Sequence, residues 1–119
     1  MSKRYRLTRD GERDLVVTGD LIGEASSHSV QGPAQNRWIE VRIYKAASGS
    51  YVVEVEGRTQ YLRETDRHAA TVCPGAEGVL AALEDGTGHG EGMSATAVEA
   101  LSKAAADDPA LAALECEEV

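Results

Sequence analysis

Apolar and polar residues alternate with period two through the first half of the chain, the spacing of strands that bury one face. In RYRLTRDGERDLVV (4–17), Asp10-Gly11 marks a turn. Setting Tyr5 opposite Val17 and Leu7 opposite Leu15 gathers four apolar side chains on one face, so a first hairpin is expected. The next stretch, TGDLIGEASSHS, has two readings: Gly19-Asp20 either bulges one long strand or turns into another short one. SVQGPAQN (29–36) has the Gly, Pro and Asn of a loop.

The clearest pattern is RWIEVRIYKAASGSYVVEVEGRTQYL (37–62). Ile39, Val41 and Ile43 alternate with Trp38, Glu40, Arg42 and Tyr44; beyond Ser48-Gly49, Tyr51, Val53 and Val55 alternate with Val52, Glu54 and Glu56. A three-residue loop Ala47-Ser48-Gly49, with the glycine in the left-handed region, fixes the register by making partner numbers sum to 96. Ile43 then faces Val53 and Val41 faces Val55. On the other face Arg42 meets Glu54, Tyr44 meets Val52 and Trp38 meets Arg58, cross-strand pairs worth about 0.2–1 kcal/mol each. Glu40 opposite Glu56 is the one discord, softened by arginines on the same face.

RETDRH (63–68) reads as a polar turn and AATVC (69–73) as a final short strand. At Pro74 the period changes to that of helices. Proline suits a first helical turn, and Val79, Leu80 and Leu83 share a face before Gly86, which is expected to stop the helix. Ser94 or Thr96 can cap a second helix, Thr96 and Glu99 having the spacing of a capping box, with Val98, Leu101 and Ala105 as its apolar stripe. Asp108-Pro109 restarts the pattern as cap and first-turn proline, carrying Leu111 and Leu114. The expected fold class is α+β: an antiparallel sheet of four or five strands in hairpins or a meander, followed by two or three helices packed on it.

A chain of 119 residues is one domain's worth of protein, so residues 1–119 are expected to form a single domain, with 1–73 its β-rich sheet and 74–119 its acidic helical part. Without phenylalanine, the core must be built from Val, Ile, Leu and Ala. Net charge is −8, unevenly spread: residues 1–73 hold 11 Lys/Arg against 10 Asp/Glu, whereas 74–119 hold Lys103 alone against 10 acids. The arginines of the first half are interleaved with acids and form no one-signed stripe, which disfavours direct nucleic-acid binding. The start MSKRYRLTRDGERD has no apolar run and no later stretch is long enough to cross a bilayer, so the expected compartment is the cytoplasm. There, Cys73 and Cys116 are expected as thiols. Scarce lysine, with abundant Ala, Gly and Val, points to a GC-rich coding sequence and hence to a bacterium or its phages.

Four features are candidates for chemistry. GTGHGEG (86–92) lacks the lysine and spacing of a phosphate loop, sits between helices beside Glu84, Asp85 and Glu91, and reads as a connector. A metal would need His89 and Glu91 with ligands drawn from His28, His68, Cys73 or Cys116, none at zinc-site spacing, so no metal or cofactor is expected. Cys73 has His68 as its nearest base for nucleophilic chemistry, but reads better as an apolar plug before a helix. The fourth is the second face of the central hairpin. Trp38, Arg42, Tyr44 and Arg58 are residue types that anchor protein interfaces, unless the helices cover that face.

The expected function is a small non-enzymatic protein-interaction module, an adaptor, regulator or inhibitor. It would bind a protein partner, or a second copy, through the hairpin face or through the acids Glu84, Asp85 and Glu91, and one specific form imitates nucleic-acid charge in a basic groove of a nucleic-acid-processing complex. The alternative is a small-molecule-binding or enzymatic domain with His68, Cys73 and His89 beside a pocket.

Overall fold

The computed structural model describes residues 3–26, 37–59, 66–87 and 95–113. Five strands, β1 (Lys3–Leu7), β2 (Leu15–Ser26), β3 (Arg37–Ala46), β4 (Tyr51–Thr59) and β5 (Arg67–Cys73), pair in chain order as an antiparallel meander. Helices α1 (Ala76–Thr87), α2 (Ala95–Asp107) and α3 (Pro109–Ala112) follow. This is the α+β order the periodicity predicts.

Both hairpins take the expected registers. Tyr5 pairs with Val17 and Leu7 with Leu15 around a turn in which Gly11 has a φ of 74°. In the central hairpin Ile43 pairs with Val53, Val41 with Val55 and Trp38 with Arg58. The Gly49 N–H donates to the Ala46 carbonyl at 2.9 Å and Gly49 has a φ of 97°, the left-handed conformation that closes this loop without a Cβ clash.

β2 is one long strand, and its irregularity falls between Leu21 and Gly23, not at Gly19-Asp20. Gly19 serves another purpose: a Cβ there would strike the backbone of Lys45 and Ala46. The extra residue, Ile22, swaps the faces of the strand. Leu21 pairs with Tyr44, but Gly23 and Ala25 pair with Ile43 and Val41.

The helices cover the face carrying Val41, Ile43 and Val53. There Ala25, Tyr51 and Cys73 pack with Val79 and Leu83 of α1, Ala97, Ala100, Leu101 and Ala104 of α2, and Leu111 of α3. Local details differ from expectation. α1 begins two residues after Pro74 and continues through Gly86. α2 begins at Ala95, so Thr96 is buried inside its first turn, and Val98 points outward from a stripe made mainly of alanine. α3 is as predicted: the Ala110 N–H donates to Asp108 Oδ1 at 2.9 Å, and Pro109 follows the cap. Ser94 and Leu114 lie outside the described residues.

On the opposite face Tyr5, Leu7, Leu15 and Val17 pack with Tyr44, Val52 and Ala70. In a flat sheet, with strands about 4.8 Å apart, β1 would be too far from β4 and β5 for such contacts. The β1–β2 hairpin must therefore fold back over the sheet, with the Ile22 bulge as its corner. Two bonds pin its tip to β5: the Asp10 N–H donates to the His68 carbonyl at 2.9 Å, and the His68 N–H donates to Asp10 Oδ2 at 2.8 Å.

Candidate functional site

The helix-free face has an apolar part under the folded-back hairpin and a charged part beside it. Strand alternation builds the charged part from the residues that do not face the helices: Glu24 of β2, Glu40 and Arg42 of β3, Glu54, Glu56 and Arg58 of β4, and His68 of β5. Arg42 is the hub. Its Nε donates to Glu24 Oε2 at 2.7 Å, its Nη2 to Glu40 Oε1 at 2.8 Å, and its Nη1 to Glu54 Oε1 at 3.2 Å and also to Glu56. Arg58 Nη1 donates to Glu56 Oε2 at 3.0 Å, and its Nε lies 3.6 Å from Glu40 and 3.4 Å from Asp66. The Glu40–Glu56 discord is thereby resolved, since both carboxylates contact both arginines.

Five carboxylates surround two guanidinium groups, so this part of the surface is acidic in balance. Burial disfavours the Arg42 charge, but the bonds it donates to Glu24 and Glu56 and the nearby Glu54 charge outweigh it and strengthen its hold on the proton. Burial likewise raises the Glu56 carboxyl, and the bonds from Arg42 and Arg58 reverse that, leaving it below its ordinary value. His68 Nδ1 lies 3.5 Å from Glu56 Oε2. The Tyr44 hydroxyl donates to Glu54 Oε1 at 2.9 Å; burial first, then the Glu54 charge, raises this phenol. Every carboxylate of the cluster lies beside a guanidinium group and not in an isolated apolar setting.

The predicted site residues are thus unequally placed. Arg42 is enclosed by carboxylates, and Tyr44 is 3% exposed beneath Tyr5, their rings 4.8 Å apart. Arg58 is 40% exposed, and Trp38 holds the register position opposite it. Glu84 and Asp85 occupy the last turn of α1. Glu91, with His28, His89 and Cys116, lies outside the described residues. Sequence reasoning missed Glu24, Asp66 and His68 as members of the cluster; the β4–β5 register, which sets His68 opposite Glu56, was the signal for the last.

His68 and Cys73, five residues apart on β5, point to opposite faces. His68 faces Glu56, whereas Cys73 is buried against the helices with its thiol pKa raised by burial. Burial that raises the thiol pKa leaves less of the nucleophilic thiolate. Among the described residues no group of three His, Cys, Asp or Glu side chains is placed to hold a metal.

A second polar cluster joins α3 to the sheet. The Tyr51 hydroxyl donates to Asp108 Oδ2 at 2.7 Å, and Lys45 Nζ donates to the Tyr51 oxygen at 2.8 Å and lies 3.3 Å from the same carboxylate. Asp108 therefore caps α3 with one oxygen and anchors it with the other, which makes the cluster a structural tie. No described helix is long and apolar enough to cross a membrane. No protein-family model, curated protein or solved structure matches the chain.

Proposed function

We infer that this protein is a non-enzymatic protein-interaction module that recognises a basic surface through its acidic helical layer. The observation that carries this reading is where the helices keep their acids. The last turn of α1 holds Glu84 and Asp85, α2 ends in Asp107, and neither has a basic residue in its last turn. A negative charge at a helix C-terminus opposes the macrodipole at a cost of about 0.3–1 kcal/mol. Acids held where they destabilise the free protein are explained by a bound state in which cations compensate them.

In its most specific form the acidic layer imitates nucleic-acid charge and occupies a basic groove of a nucleic-acid-processing complex. Charge complementarity of this kind acts on association rate and specificity, and is screened by salt. The test is affinity capture from a bacterial lysate at about 50 mM and about 300 mM salt, across which the screening length falls more than two-fold. A partner with a basic surface, retained at the lower concentration and lost at the higher, supports the reading. Partners retained equally at both contradict it.

A further inference from the structure

We propose that the outer edge of β5 pairs with β5 of a second copy, antiparallel, about a two-fold axis through Thr71. Strand edges offer unpaired N–H and C=O groups, and the other edges of this sheet are protected. β1 carries Lys3, Arg4 and Arg6, whose charges disfavour strand addition. The part of β2 beyond β1 lies under α2: Gly23 rests against Ala100 and Ala104, and Lys103 Nζ takes the Glu24 carbonyl at 3.0 Å.

Among the described residues β5 is protected at one point only. The N–H and C=O of His68 both bond Asp10, so they point away from β4. The alternation of an antiparallel ladder then aims the backbone groups of Ala70 and Val72 in the same outward direction. Among the described residues none bonds these groups. Residues 69–73 carry no charge, and Val72 is 50% exposed.

These groups are self-complementary in one register. With Thr71 opposite Thr71, Ala70 of each copy stands opposite Val72 of the other, and the N–H and C=O of both residues are satisfied in four bonds. The register also stops itself at both ends. His68 is already occupied by Asp10, and the residue it would meet is Pro74, which has no N–H and lies where the chain leaves β5 for α1. Centring the axis on Ala70 instead sets Val72 against the occupied His68, so the arrangement through Thr71 is the one that leaves no group unpaired.

Sedimentation of the full chain from micromolar to millimolar concentration tests this. A reversible dimer is expected that strengthens with salt, because both copies are acidic. Thr71→Lys places two ammonium groups on the axis and is expected to give a monomer with an unchanged circular dichroism spectrum. In a Cys116→Ser background, Thr71→Cys is expected to cross-link on mild oxidation, since directly opposed non-hydrogen-bonded residues have Cα atoms about 4.5 Å apart, whereas Val16→Cys is not. A monomer throughout the range, or a dimer that survives Thr71→Lys, overturns the proposal.

Discussion

Gly23 lies against Ala104 so closely that a Cβ on the glycine would stand 2.8 Å from the alanine methyl, and it would also strike the Ala100 carbonyl oxygen. The strand and helix therefore meet without an intervening side chain on either element larger than a methyl, which explains a helix stripe made of Ala97, Ala100 and Ala104. Gly23→Ala forces α2 away from the sheet. It is expected to cost at least about 1–3 kcal/mol, the range for overpacking, read as a lowered urea midpoint. Gly11→Ala meets no neighbour and carries only the strain of its positive φ.

Arg42 is the cation on which four glutamates converge. Replacing it with Met leaves those carboxylates mutually repelling and partly buried, at an expected loss of about 3–5 kcal/mol near neutral pH. The pH dependence changes sign between the two proteins. In the wild type the Glu56 carboxyl is held below its ordinary value of 4.5. The stability this contributes is complete above that value and is lost as pH falls through the lower folded one. In Arg42→Met the carboxylates gain protons more readily folded than unfolded, so acidifying toward about pH 5 recovers part of the loss. Thermal melts of both proteins across this range check the crossing.

Cys73 is buried with a raised thiol pKa. In a Cys116→Ser variant, the remaining thiol is expected to react with a disulfide reagent only after denaturant is added, whereas an activated catalytic cysteine would react at once in the native protein. Rapid native labelling would favour the enzymatic alternative.

The two hairpin registers were legible in the chain because alternation and a single loop length determine them together. Gly19 misled the placement of the bulge, since glycine marks both an extra residue and a close approach of two backbones, and only the packed structure tells them apart. Thr96 and Glu99 have capping-box spacing, but helix α2 starts one residue earlier. The acids around Arg42 were only half visible. Glu54 follows from the hairpin register, while Glu24 reaches the guanidinium because Ile22 swaps the faces of β2. Which face the helices cover was not readable, because both faces of β3 and β4 carry apolar residues and the folded-back hairpin claims one of them.

Glu84 and Asp85 stand in the last turn of α1 and Asp107 closes α2, positions at which a negative charge is unfavourable to the helix dipole. Neutralising them with Glu84→Gln, Asp85→Asn and Asp107→Asn is expected to raise stability by about 0.3–1 kcal/mol each at low salt, seen as a higher melting temperature. The gain should fade as salt is added.

The same triple variant provides the most direct test of function, by calorimetric titration against the partner captured at low salt, across a series of salt concentrations. The prediction is weaker binding than wild type at low salt and a shallower dependence on ionic strength, in a protein that is itself more stable. Equal affinity and an equal salt slope for the two proteins would contradict recognition through the acidic helical layer.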